Sequence, residues 1–370
     1  MSTMTPEQKK PAGVSTIELF FDLVFVFVIT QITLLVEHAH GPTDLLLAFL
    51  VLVPVWWMYA AYSWLTNNTG GGWQMRLVLI AAMAGFLIMA MSIPSVFGAG
   101  ALAFGLSYLF VVLLHLGAFV FKGGPSLQAI FGIAQFNVGA AVLLIAAPVA
   151  GQWSWAVFLV VAVLFVGATI VRREQGFALE PTHFAERHGL VILIVLGESV
   201  VAIAMGASTS SGAVDLATLV EVVLCLLLVT ALWWSYFDRE DKSAEHLLVA
   251  ASPERRSRMG LLGYWYGHLA LIFGIVLISA GIELLLEHGT QASSSGATLL
   301  FGGVAVYMLG DVFFRWIMGM TPIAIRLVAG ALGLVMCAIG AHWAAQPALA
   351  AAAALAIAVV AVERLQSRRA

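Results

Sequence analysis

The sequence predicts an all-α polytopic membrane protein of about twelve transmembrane helices, arranged as two parallel six-helix halves with both termini in the cytosol. Three observations lead there. Of 370 residues, 62% are hydrophobic and only 10% are charged, whereas a water-soluble surface needs about 25% charged residues. Apolar runs of roughly 20 residues, enough to cross a bilayer core at about 1.5 Å per residue, follow one another at short intervals. All 17 Lys and Arg residues fall on one side of the resulting alternation. No long hydrophilic segment suggests a separate soluble domain.

The elements follow in order. A tail, 1–16, carries Lys9 and Lys10 and leads into span one, 17–36. That run is too long for a signal-peptide core, holds two acids and lacks a small-residue cleavage site, so it is read as retained. Span two, 44–65, contains Pro54 and ends in W-L-T-N-N-T-G-G-G-W. Span three, 75–95, closes at Pro94, and a small-residue gap at 98–100 precedes span four, 101–121. K-G-G-P at 122–125 makes the next turn. Spans five and six, 127–147 and 153–171, complete a first half, 17–171. A polar cytosolic linker, 172–186, leads to the second half, 187–361, with spans at 187–206, 217–237, 262–284, 298–317, 322–342 and 346–361. A long cytosolic loop, 238–259, lies inside it, and a tail, 362–370, follows. The last span is alanine-rich and 16 residues long, and its alternative is an interfacial helix.

Charge placement tests this count independently. With the N-terminus in the cytosol, the inward loops and adjoining helix ends hold all 17 basic residues, from Lys9 to Arg369. The outward ones hold Glu37, Asp44, Asp215, Glu221, Glu283 and Glu287 and no Lys or Arg. Cytosolic loops carry the basic excess in membrane proteins, so the orientation follows. The division into halves rests on W-W-M-Y at 56–59 and W-W-S-Y at 233–236, which fall in corresponding spans two and eight.

The first span, I-E-L-F-F-D-L-V-F-V-F-V-I-T-Q at 17–31, closely resembles the signature of the bacterial low temperature requirement A (LtrA) family. W-W-M-Y-A-A-Y-S-W-L-T-N at 56–67, E-R-H-G-L-V-I-L-I-V-L-G-E-S-V at 186–200 and W-W-S-Y-F-D at 233–238 resemble it too. The resemblance implies a multi-pass protein of the bacterial cell (inner) membrane. The family name records a growth defect in the cold, which is a phenotype and not a mechanism. A looser similarity links F-F-D at 20–22 to the F-S-D motif of lysosomal and bacterial potassium channels, but the arginine that begins that motif has no counterpart here.

Candidate site residues are the ionisable groups placed inside spans, which are costly there and by default functional. Glu18 and Asp22 are four apart and share a helix face. Glu18 is expected to snorkel to the headgroups. Asp22 is too short for that, and is expected either to pair with an arginine at the inner helix ends (Arg76, Arg187 or Arg326) or to bind a cation or proton. Glu198 lies eleven residues beyond Arg187, near the bilayer centre. Gly197 beside it is expected to admit a neighbouring helix closely, and Ser199 adds a hydroxyl. With no arginine in reach, Glu198 is read as a neutral carboxyl in a helix contact or as a substrate or proton site, reached by a cavity from the cytosol bordered by Asp22 and by His115 or His268. His115, His188 and His268 are the inner-half histidines, and neutral histidine is cheap to bury and titrates near neutrality. Trp56, Trp57 and Tyr59 are packing residues or an aromatic wall. Asp311 and Arg315, at i and i+4, read as an internal ion pair.

Cys225 and Cys337 lie in apolar runs without metal spacing, and no disulfide is expected between them. No Walker A loop, dinucleotide fingerprint or nucleophile elbow occurs. No cofactor, resident metal or nucleic-acid partner is expected. The partners implied are membrane lipids, a small solute, ion or proton, and a second copy of the chain. The leading function is a secondary, proton-coupled transporter; the rivals are an ion channel and an intramembrane enzyme or lipid-handling protein.

Overall fold

The computed structural model describes residues 13–69, 72–122, 127–171, 179–209, 215–288, 294–340 and 343–368. Among these residues every regular element is helical. The helices are α1 (Thr16–Glu37), α2 (Pro42–Thr69), α3 (Trp73–Ser92), α4 (Ala101–Lys122), α5 (Leu127–Ala146), α6 (Ser154–Val171), α7 (Pro181–Thr209) and α8 (Leu216–Phe237). After them come α9 (Glu240–Ala250), α10 (Pro253–Met259), α11 (His268–His288), α12 (Ser294–Met318), α13 (Ala324–Ile339) and α14 (Ala345–Ser367).

Ten stretches of the described chain are long and apolar enough to cross a membrane. One of them, Phe131–Val171, contains both α5 and α6. Its 3-10 turn at Ala147–Trp153 holds Gly151 at φ 54°, a conformation glycine adopts without a Cβ penalty. The expected last span is longer than its sequence suggests, 23 residues, and packs its alanine face on α8. The α13 helix is shorter than expected, at 16 residues. Two boundaries shift in ways that matter. The expected linker 172–186 gives way to helix at Pro181, so Arg187 lies inside α7 instead of at its start; residues 172–178 are outside those described. The expected loop 238–259 is largely helical, as α9 and α10. Ser252 caps α10 and Pro253 occupies its first turn, a position where the missing N–H costs nothing. A π-helical segment, Gly260–Gly267, joins α10 to α11 without a break.

Helix α1 packs on α2, α3, α7 and α11. It runs parallel to α7, since Asp22 meets Arg187 and Thr30 meets Glu198 further along. Helix α11 also runs parallel to α7, with Ser199 Oγ 2.8 Å from Ser279 Oγ. The α2 and α11 helices are the most enclosed, each with 78% of its apolar window buried, against 28% for Phe131–Val171. The neighbour order recurs along the chain. Helix α3 packs on α1 and α4, α4 on α5, α5 on α6 and α6 on α2. Likewise α11 packs on α7 and α12, α12 on α13, α13 on α14 and α14 on α8.

Candidate functional site

Fully buried charges form a clasp between α1 and α7. One turn separates Glu18 from Asp22 on α1, and both face α7. Arg187 Nη2 stands 2.8 Å from Asp22 Oδ1, and its Nη1 is 3.5 Å from Glu18 Oε1. Asp22 and Arg187 are both 0% exposed. From α2, the Tyr59 hydroxyl donates to Asp22 Oδ1 at 2.6 Å. Of the three arginines expected within reach, Arg187 takes Asp22, because α7 starts six residues before it and carries it about 9 Å into the bundle. Glu18 departs from expectation. It is 5% exposed and does not snorkel. Its Oε2 accepts from the Ser15 N–H at 2.8 Å and the Ser15 hydroxyl at 2.7 Å, closing the first turn of α1, and its Oε1 lies 3.1 Å from His183 Nε2. His183, four residues before the expected start of span seven at 187, falls in the expected linker, and so its sequence position gives no sign of a place in the site.

Glu198 lies within a turn of the midpoint of α7. It is 4% exposed and accepts from Thr30 Oγ1 at 2.8 Å. Among the described residues it forms no ion pair. Towards the far end of α1, the carboxyls of Glu37 and Glu283 lie close enough to act on each other electrostatically, and Glu283 acts on Glu198 as well. Gly197 does not serve the close helix approach expected of it: a Cβ there would meet nothing within 4 Å. The nearby Gly206 does, since a Cβ would stand 2.8 Å from Leu286 Cβ.

The histidines separate. His188 and His268 come together, ring centroids 5.5 Å apart and edge to face, under Tyr264. His268 Nε2 is 2.8 Å from the Tyr236 hydroxyl, and His188 Nδ1 is 2.9 Å from the Phe184 carbonyl. His115 stands elsewhere, against the Ala61 carbonyl at 3.1 Å and the rings of Tyr62 and Phe119. Trp56 donates to the Trp265 carbonyl and lies edge-on to His188. Trp57 donates to Asn137 and stacks on both Phe165 and Trp265. These two tryptophans pack; Tyr59 alone of the three donates to a carboxylate.

The pair Asp311 and Arg315 is present at 3.3 Å, but within a larger cluster that adds Arg326, Glu240 and Glu363. A cavity of about 180 Å³ is lined by Glu18, Thr66, Asn67, Glu180 and His183, and one of about 270 Å³ by Glu240, Arg315, Glu363 and Arg364. Neither is lined by Asp22 or Glu198. Among the described residues no group of three or more His, Cys, Asp and Glu side chains is arranged to hold a metal ion.

Comparison with known proteins gives two findings. The family model described as "Bacterial low temperature requirement A protein (LtrA)" matches residues 13–362. The chain is also similar to the uncharacterized protein RA0937 of Rhizobium meliloti (strain 1021), 26% identical over 318 residues that cover 80% of this chain and 76% of that protein.

Proposed function

The chain belongs to the bacterial low temperature requirement A (LtrA) family, and from that premise we propose that it is a secondary, proton-coupled transporter of a small solute in the bacterial inner membrane. The observation that carries the reading is Glu198: a buried carboxyl near the middle of a membrane helix, held by a hydroxyl and not by a cation. A bare carboxylate at that depth costs about 3 kcal/mol on insertion scales and more in simulations, and a proton removes the cost. Glu37 and Glu283, close to each other further along, continue a line of carboxyls towards the end of the bundle opposite the arginines. That line is the route by which a proton reaches Glu198 from outside.

The architecture in this reading is twelve crossings in two parallel halves, 17–171 and 187–361. It counts α5 and α6 as separate crossings broken at Gly151 and α13 as a short one. The recurring neighbour order and the two W-W-x-Y motifs support the halves, and the one-sided basic residues support a cytosolic location for both termini. The Arg187 clasp then joins the first half, through Glu18, Asp22 and Tyr59, to the second. Opening it exposes the inner side of the bundle, as alternating access requires.

The test is reconstitution into proteoliposomes containing a pH-sensitive dye, with candidate solutes added in turn. A carried solute is expected to move protons with it. Glu198→Gln should keep the fold and the contact with Thr30, abolish coupled proton movement and leave solute exchange intact. A current that flows with no solute present would make the protein a channel. Wild-type coupling in Glu198→Gln would remove that residue from the mechanism.

A further inference from the structure

A second buried ion cluster lies at the arginine-rich end, built from four helices: Glu240 on α9, Asp311 and Arg315 on α12, Arg326 on α13 and Glu363 on α14. Arg315 stands 2.9 Å from Glu240 Oε2, 3.3 Å from Asp311 Oδ2 and 3.0 Å from Glu363 Oε1. Arg326 Nη1 is 2.8 Å from the same Glu240 oxygen and also touches Asp311 Oδ2, while its Nε is 3.0 Å from Glu363 Oε1. Asp311 and Arg326 are fully enclosed, and Glu240 is 4% exposed. The charges do not balance, for three carboxyls share two guanidinium groups.

The surrounding groups do not supply the missing positive charge. Just past α8, Asp238 pairs with Arg364 at 2.8 Å and with Arg239 at 3.7 Å, but these side chains are 29–61% exposed, so the second cation is solvated and screened from the cluster. On α9, Asp241 is offset by Lys242 beside it. From α11, His268 is fully buried, with Nδ1 3.4 Å from the Gly263 carbonyl and Nε2 2.8 Å from the Tyr236 hydroxyl, and among the described residues it forms no ion pair with the cluster. The Tyr307 hydroxyl on α12 is occupied by Ser235 and the Leu232 carbonyl.

Within the cluster, Glu240 Oε2 and Asp311 Oδ2 lie against the same Arg326 Nη1, which brings the two carboxyls together. Glu240 Oε1 and Asp311 Oδ1 are nonetheless buried without a donor. Two carboxylates have no hydrogen to offer each other. One added proton makes the contact an O–H···O bond and brings the cluster to neutrality, as buried charge requires. We propose that this cluster is a binding site for one proton, shared by Glu240 and Asp311, and that the cavity of about 270 Å³ lined by Glu240, Arg315 and Glu363 connects it to the aqueous phase. The site stands on its own charge count and does not depend on Glu198 carrying protons. Loss of its proton leaves a net buried negative charge and loosens Glu240 at the head of α9, a helix that also packs on α7.

The test is infrared spectroscopy of the purified full chain near neutral pH, reading the C=O band of a protonated carboxyl and its shift in D2O. The wild type is expected to show a band that Glu240→Gln removes. Glu363→Gln is expected to remove it too, although Glu240 and Asp311 are both still present, because two carboxylates then meet two guanidiniums and no proton is needed. A purely structural role for Glu363 would not move that band. Glu198→Gln should delete a separate contribution and leave this one, so the two proton sites fail or stand independently. Persistence of the band in a folded Glu240→Gln or Glu363→Gln protein overturns the proposal, and should Glu240→Gln not fold, Glu363→Gln decides alone.

Discussion

Asp22 is a short acid with no path to water, and its only adequate partner is a cation delivered by another helix. Removing the acid strands that cation. Asp22→Asn leaves the Arg187 guanidinium buried with Glu18 at 3.5 Å as its remaining ion partner, a loss of about 3–5 kcal/mol for a broken buried pair. Glu18→Gln keeps an amide oxygen for the Ser15 N–H and hydroxyl, so its cost is smaller, roughly 1–3 kcal/mol. Thermal unfolding in detergent should therefore rank Asp22→Asn well below Glu18→Gln, and equal transitions near that of the wild type would refute the ranking. That Asp22 needs an arginine partner, or a bound cation or proton, is legible from its depth in span one. Which arginine, and that Glu18 is enclosed by His183, are not, because those contacts link residues 165 apart.

At the scale of elements, the α11–α12 contact is built on glycine. Gly274 and Gly281 on α11 are seven residues apart, close to two helical turns, and Gly296, Gly303 and Gly310 on α12 recur at the same spacing. A Cβ on Gly274 would stand 2.6 Å from the Tyr307 nitrogen, and one on Gly303 2.7 Å from the Ile278 nitrogen. Backbone cannot yield as a side chain can, so Gly274→Ala should force the helices apart and cost about 1–3 kcal/mol. Gly197→Ala, with open space around it, should be neutral or gain up to about 1 kcal/mol from helix propensity. Melting temperatures of the two variants check this directly, and a neutral Gly274→Ala would contradict the close contact. The glycine spacing was open to reading in the sequence; glycine near loops was read only as a turn marker. The Ser252–Pro253 start signal inside the expected loop was equally legible.

For the molecule as a whole, the proposed proton route depends on the orientation that the lopsided distribution of basic residues predicts. In a variant with Cys225 and Cys337 replaced, Asp215→Cys should react with a membrane-impermeant thiol reagent on intact cells. Ser252→Cys should react only after permeabilisation. Both positions are solvent-exposed in the fold, so a silent site reports its side of the membrane and not burial. Labelling of Ser252→Cys with Asp215→Cys silent would invert the molecule and turn the Glu37–Glu283 line towards the cytosol.

Helical class, membrane residence, family and the order of the apolar spans were determined by the sequence alone, because each rests on properties of contiguous residues: the length of an apolar run, the charge of a short loop, a motif within one helix. Only the tertiary structure decided that Arg187 closes on Asp22, that Thr30 meets Glu198 and that Glu240 and Glu363, read as loop and tail, join Asp311 around Arg315 and Arg326. The reason is physical. A buried charge is satisfied by whatever stands within a few ångströms of it, and in a helix bundle that neighbour comes from a segment whose distance along the chain says nothing about its distance in space.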